Sequence, residues 1–368
     1  MTSENYVLYG APNSFFTGKA LVYMKYKGIP FTFKMSSVKV FKKIIVPRTG
    51  MAFIPVVITP EDEVLQDTTH IIDTLEERFP QRPIYPKTAM QHLVCLLLEV
   101  FGDDWLVMPA MHYRWNYLDE NHRELLNHFG DASMPGWPRM VKNFVGRKVW
   151  KRFSGHVPKM GITQRTIPAL ERAFEDLMAH LNAHFSNHPY LLGGRPTLAD
   201  FGLIGGFSAH LGLDPYPRKL MSEKAPQLVD WIQRMREPEE DLDELLADDQ
   251  IPDTLLPVLR QMFTLQVPFL HAGAVRLRDW TRENPDKHIP RSLGRLPYSI
   301  GEVTEEKVTL PYNQWMWQRP LVFYQSLAEE EKSKVDALLA SVDGKDLINS
   351  WPDIWLDKQN NQLILKTA

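Results

Sequence analysis

From Phe53 to Pro80 the sequence FIPVVITPEDEVLQDTTHIIDTLEERFP leaves few ways to fold. A short apolar run follows Pro55, a polar turn covers Thr59 to Glu63, Val64-Leu65 is a brief second run, and a helix comes next. The helix signals agree with one another. Asp67-Thr68 supplies a cap, Ile71, Ile72 and Leu75 fall at i, i+1 and i+4, and Phe79-Pro80 is a stop. Pro55 stands at the start of a strand, where its missing N–H tolerates only an edge, a bulge or a cis turn. Asp67 and Thr68 stand where a helix N-terminus presents open backbone N–H groups and a partial positive charge, which suits a small anion.

Upstream, Tyr6 to Tyr9 reads as a strand ended by Gly10 and Pro12. Asn13 or Ser14 caps a helix whose apolar positions, Ala20, Leu21, Met24 and Phe16, keep helical spacing up to Gly28. Ile29 to Met35 makes a second strand. Strand, helix, strand, then strand, strand, helix is the thioredoxin-like order. With Ile54-Pro55-Val56-Val57, Leu65-Gln66-Asp67-Thr68, Ile71-Ile72-Asp73 and Leu75-Glu76-Glu77-Arg78-Phe79-Pro80 in one register, the stretch resembles the glutathione transferase superfamily. The run from Ser14-Phe15-Phe16-Thr17-Gly18-Lys19 to Lys27-Gly28-Ile29-Pro30-Phe31 is similar to the family's first helix and second strand.

The resemblance implies that glutathione is a co-substrate. It implies a cis Pro55, with the backbone of Ile54 pairing with the cysteinyl part. It also implies that Asp67 takes the glutathione amino group, that Thr68 holds the γ-glutamyl carboxylate, and that Gln66 lies beside them. The remaining chemistry is thiol activation. Free thiols of the cysteine type have a pKa of ~8.5, so a minority is thiolate at neutral pH. A hydroxyl donating to sulfur at a helix N-terminus favours the anion through its hydrogen bond and the helix dipole. Ser14 stands where serine-type members carry that hydroxyl, although it also suits a plain helix cap. Phe15-Phe16 departs from the family's usual proline after the serine, which keeps Thr17 as the alternate, with Tyr9 and Asn13 behind it. No cysteine occupies either position, which argues against the cysteine-type members.

Between the second strand and Pro55 lie Lys39, Lys42, Lys43 and Arg48. In the resembled fold a cation there holds the glycine carboxylate; a solvated basic loop explains them equally. The Pro-rich QRPIYPK (81–87) reads as a linker, after which Thr88 opens a long helix. In the family this helix lines the pocket for the electrophile, which points to Trp105, Met108, Met111, His112 and Trp115. A Met and Trp stripe at helical spacing also suits plain core. Asp103, Asp104 and His112 match no compact ligand spacing, so no metal is expected.

Arg139 to Arg152 (RMVKNFVGRKVWKR) interleaves cations with aromatics. It suits a surface for an anionic substrate, partner or phospholipid, or a solvated helix face. The acidic run Glu237 to Asp249 offsets it. Thr163 to Phe185 is helical by period. Thr197-Leu198-Ala199-Asp200 is a capping box resembling the buried one in the family's second domain, and Ala225 to Met235 resembles its late helix. Past Glu237 the resemblance ends, leaving roughly the last third of the chain. It holds an apolar helical run from Thr254 to Trp280, a Pro-, Gly- and charge-rich stretch, an aromatic cluster near Trp315, a charged helix from Ala328 and a closing hairpin around Lys358 to Asn361.

The chain has 368 residues, 44% of them hydrophobic, 24% charged, with net charge −3. That suits about two globular domains plus a remainder and gives no reason to expect a nucleic acid partner. Cys95, the single cysteine, lies in an apolar run and reads as a small buried hydrophobe. No leader or membrane span is visible, so a cytoplasmic protein is expected. The expected architecture is an α/β thioredoxin-like domain (1–82), an all-helical domain (88–240) and a mostly helical C-terminal extension (250–368). The expected function is a glutathione transferase-like homodimer whose thiolate attacks a hydrophobic electrophile by conjugation, dehalogenation or ether cleavage. The alternatives are a non-catalytic scaffold acting through the extension and a carrier of apolar ligands.

Overall fold

All five residues of β1 (Tyr6–Gly10) are buried, because β1 is central in its sheet. The computed structural model describes residues 5–239, 242–359 and 361–366. The chain divides into two compact units. The first comprises Met1–Ile84, Ala110–His156 and Phe201–Leu242; the second comprises Tyr85–Pro109, Val157–Asp200 and Asp243–Ala368.

In the first unit, β1 leads into α1 (Phe15–Tyr26) and then β2 (Phe31–Met35), which pairs parallel with β1. A helical segment over 38–49 follows, π-wound at Phe41–Ile45. β3 (Val56–Ile58) runs antiparallel to β1, and β4 (Val64–Gln66) antiparallel to β3, giving the order β2-β1-β3-β4. This is the expected thioredoxin-like sheet. β2 alternates half-buried and exposed positions, as an edge strand does. α2 (Thr68–Arg78) closes the motif.

Two details hold α1 in place. Gly28, at φ +64°, ends it in the left-handed conformation that glycine adopts without strain. Lys27 and Tyr23 both reach Glu76 of α2, at 2.7 and 2.8 Å, tying the two helices together. Desolvation depresses the Lys27 pKa, and the Glu76 carboxylate opposes that.

The same unit contains the helical hairpin of α3 (Leu118–Ser133) and α4 (Arg139–Ser154), followed by α5 (Pro215–Lys224) and α6 (Pro226–Arg236). A Cβ on Gly146 would sit 3.0 Å from the Gly130 nitrogen, and one on Gly130 would sit 2.9 Å from the Lys142 carbonyl oxygen. The hairpin's close crossing therefore depends on both glycines.

In the second unit, helices Ala89–Val100, Ile167–Phe185, Leu256–Leu265, Val267–Glu283, Pro311–Ser326 and Glu329–Ser341 are joined by two hairpins. These are β5 (Arg295–Ile300) with β6 (Val303–Val308) and β7 (Leu356–Gln359) with β8 (Gln362–Leu365). One core joins Ala274, Leu277, Leu293, Ile354 and Leu356, flanked by Trp280, Trp315 and Trp351. Thr197 donates its N–H and hydroxyl to Asp200 at 2.9 and 3.1 Å, and Asp200 also accepts from the Leu191 N–H, so the capping box is buried and structural.

The extension is thus mostly helical, and the closing hairpin stands where the sequence reading put it. The run from Thr254 to Trp280 is two helices broken at Gln266. The stretch read as merely Pro-, Gly- and charge-rich contains the β5–β6 hairpin, turning at Gly301 (φ +57°). Buried Tyr298 and Ile300, two residues apart before that glycine, were the available signal.

Candidate active site

Strand register collects the polar positions at one edge of the sheet. Tyr9 lies opposite Val56, and Val56 opposite Gln66. The end of β1, the start of β3 and the end of β4 therefore reach the same edge, and the residues just beyond them (Ala11 to Ser14, Ile54-Pro55 and Asp67-Thr68) converge there.

Ser14 is the N-cap of α1, half-buried, its Oγ accepting from the Thr17 N–H at 3.4 Å. That leaves its O–H proton to donate outward, on the axis of a helix whose N-terminal dipole stabilises an anion. Thr17 is fully buried, and its Oγ1 accepts from the Ala11 N–H at 3.4 Å. Gly10 must be glycine, since a Cβ there would lie 2.3 Å from the Thr17 methyl. Tyr9 and Asn13 are buried, and desolvation raises the Tyr9 pKa.

The Ile54–Pro55 peptide is cis. Ile54 precedes the first ladder pair of β3, and its N–H and C=O make no hydrogen bond among the described residues. Gln66 donates its side-chain amide to the Phe53 carbonyl at 2.9 Å, which fixes the segment entering Pro55. Asp67 caps α2 at φ +89° and ψ +124°, a backbone state that strains any side-chain-bearing residue, while its carboxylate accepts from the Thr69 N–H at 3.1 Å. Thr68 is the first helical residue, and neither its N–H nor its hydroxyl has a partner among the described residues.

One residue of this edge had no sequence signal. Arg114, buried on helix Val107–Asn116, donates to the Asn13 carbonyl at 2.9 Å and to the Ala209 carbonyl at 3.1 Å. Asp214 holds its other face at 2.6 and 3.0 Å. This bidentate pair anchors the turn immediately before Ser14. Its members lie far apart in sequence, where no spacing rule looks.

A family model, "Glutathione S-transferase, N-terminal domain", matches residues 8–83, and "Glutathione S-transferase, C-terminal domain" matches residues 140–239. Both domains of the glutathione S-transferase superfamily are thus matched, in order, over just under half of the chain. Among solved structures, a glutathione S-transferase of Rhodospirillum rubrum is 15% identical, with 67% of this chain and 96% of that one covered and a TM-score of 0.40. The transferase GSTFuA3 of Phanerochaete chrysosporium is 15% identical (65% and 98% covered, TM-score 0.46). The β-etherase LigF of Sphingobium is 18% identical (65% and 96% covered, TM-score 0.44). No curated protein sequence matches the chain.

The residues expected to wall the electrophile pocket are buried. Trp105 donates its indole N–H to the Tyr298 hydroxyl at 3.2 Å, and burial drives the Tyr298 pKa upward. Met108 and Met111 are buried. The His112 Nδ1 meets the Asn116 amide at 2.7 Å, and Trp115 stacks on Phe129 at 5.7 Å. Asp104 accepts from Gln266 at 3.1 Å and Asn313 at 3.2 Å, as expected of a structural carboxylate. Lys39, Lys42 and Lys43 are exposed, whereas Arg48 is paired with Asp62 at 2.8 Å. Burial pushes the Cys95 thiol up to about 12, so it is inert at neutral pH. Among the described residues no helix is long and apolar enough to cross a membrane.

Proposed function

We propose that the protein is a glutathione transferase-like enzyme that activates the glutathione thiol for attack on a hydrophobic electrophile. The observation that carries this reading is the strained Asp67 heading α2 beside a Thr68 N–H and hydroxyl without partners among the described residues. Backbone strain of this kind is retained where a residue must be aimed. In this reading the Asp67 carboxylate takes the glutathione ammonium, and the Thr68 N–H and hydroxyl take the γ-glutamyl carboxylate. The open backbone of Ile54 pairs with the cysteinyl unit, and the buried Gln66 holds the approach to Pro55. Ser14 donates to sulfur.

Ser14 is preferred over Thr17 because Thr17 is fully buried, whereas Ser14 keeps exposed surface toward the sheet edge. A thiol pKa lowered by about one unit raises the thiolate to about a quarter at neutral pH, and one lowered by about two units makes it the majority form. The electrophile, whether conjugated, dehalogenated or cleaved at an ether, supplies the remaining chemistry. A cytoplasmic homodimer is the assembly proposed.

Calorimetric titration of reduced glutathione tests the reading, with Asp67→Gly as the decisive variant. Glycine accepts the positive φ without strain, so a loss of about tenfold or more in affinity reports the carboxylate itself. Absence of binding by the unmodified protein at millimolar glutathione overturns the reading and favours a non-catalytic module.

A further inference from the structure

Most of the surface of α4 is unlike that of its neighbours. Met140 is 84% exposed and Phe144 62% exposed, and Trp137, in the turn leading into the helix, is 55% exposed. Met140, Phe144, Lys148 and Lys151 are spaced i, i+4, i+8 and i+11, which places them on one stripe about 16 Å long at 1.5 Å per residue. Arg147 and Arg152 flank the stripe. The opposite face, at Gly146, is the one pressed against α3.

The helix sequence RMVKNFVGRKVWKRFS contains no acidic residue. Arg139 and Lys142 are drawn to Asp131 of α3, at 3.3 and 2.8 Å. Arg147, Lys148, Lys151 and Arg152 form no ion pair among the described residues. The Lys148 ammonium sits 4.6 Å from the centre of the Phe144 ring, lying along the apolar stripe rather than away from it.

We propose that this face of α4 docks the protein on an anionic phospholipid surface. Trp137, Met140 and Phe144 enter the interfacial zone, and Arg147, Lys148, Lys151 and Arg152 meet the headgroup phosphates. The occupant follows from the combination of groups. Protruding Met and Phe side chains need an apolar medium within one side-chain length of the anions, and a lipid interface provides both at a depth of about 5–10 Å. A nucleic acid offers the phosphates without that medium. A second copy docked through the same face across a two-fold axis would set these unpaired cations against their own duplicates. None of this depends on the glutathione site.

Flotation of the full-length protein tests the proposal, with vesicles of phosphatidylcholine alone and of phosphatidylcholine mixed with phosphatidylserine. Binding is expected on the mixed vesicles, weakening as salt rises, because each cation near an anionic surface contributes a factor of about five. Lys148→Glu/Lys151→Glu and Met140→Glu/Phe144→Glu should each reduce binding by about tenfold or more, whereas Lys219→Glu on α5 leaves it unchanged. All these positions are exposed, so unaltered circular dichroism and melting are expected. Equal binding to both vesicle types, or none, overturns the proposal. So does binding that Lys219→Glu weakens as much as Lys148→Glu/Lys151→Glu, or that Met140→Glu/Phe144→Glu leaves intact, since either means general charge attraction. Self-association abolished by Phe144→Glu, without vesicle binding, overturns it in favour of a second copy.

Discussion

The sheet edge at Ser14, Ile54 and Asp67 and the helical stretch from Trp105 to Trp115 were both marked by residue type, yet they differ physically. At the edge, backbone geometry holds polar groups partly unsatisfied: a half-exposed serine hydroxyl with a proton to give, a buried threonine N–H without a partner among the described residues, a half-exposed aspartate at φ +89°. Along the helix the marked side chains are covered by packing; Trp105 has its polar atom matched to Tyr298, and the Trp115 indole N–H is buried in the core without a partner among the described residues, on regular helical backbone. Unsatisfied polar groups at a backbone strain point carry information about ligands that a row of large apolar side chains does not. That contrast can be broken or sharpened by substitution.

The largest expected effect comes from Arg114, which lies on the helix and serves the edge. Arg114→Ala leaves Asp214 buried and unpaired, and a broken buried pair costs about 3–5 kcal/mol. Urea unfolding should show a loss of that size, and at temperatures where the variant stays folded glutathione affinity should also fall, because the Asn13 carbonyl is no longer held. If Arg114→Ala melts like the unmodified protein, the pair is not the anchor described.

Acid has the next largest effect, and it acts on buried histidines. His184 has its Nδ1 2.9 Å from the Thr254 hydroxyl and its Nε2 3.2 Å from the Tyr190 carbonyl, and burial lowers its pKa to about 4. The unfolded value is about 6.5, so between these limits the unfolded chain binds the extra proton. Stability from His184 is therefore complete above about pH 6.5 and falls by about 3 kcal/mol as pH drops to about 4. His210, pushed well below its ordinary value by burial and by Arg114, acts with the same sign. Unfolding measured across that window should steepen with acid, and His184→Gln should flatten the slope.

A smaller loss tests the helix side of the contrast. Tyr298→Phe removes the acceptor of the Trp105 indole and leaves a buried N–H unmatched, at a cost of about 1–3 kcal/mol. Glutathione affinity should not change. A change in affinity of tenfold would place the Trp105 network in the site rather than in the core.

What the sequence disclosed follows the same division. The run from Val56 to Arg78 was legible because its strands, turn and helix are specified within a few residues of one another, and Gly28 marked the end of α1 for the same reason. Arg114 and Asp214 were not legible, since a bidentate pair between distant residues leaves no local period. The hairpin carrying Tyr298 went unread for a related reason: Pro297 interrupts the alternation of β5, and Glu305 and Glu306 make β6 opposite it look like solvated chain. The choice between Ser14 and Thr17 was open because both suit a helix start, and burial separates them.

That choice yields the smallest effect on stability and the most discriminating one on chemistry. Ser14→Ala removes an N-cap acceptor, worth about 1 kcal/mol. Its larger consequence is on bound glutathione, whose thiol pKa should rise by about one to two units when the donor is lost. Thr17→Val keeps the buried shape but removes the acceptor of the Ala11 N–H, so it should cost a similar amount of stability. It should leave the bound thiol pKa where it was, because a hydroxyl with no exposed surface has no path to sulfur. Thiolate absorbance followed against pH for the two variants separates the roles. A pKa that moves with Thr17→Val and not with Ser14→Ala would reverse the assignment, and the half-exposed serine would then be a cap and nothing more.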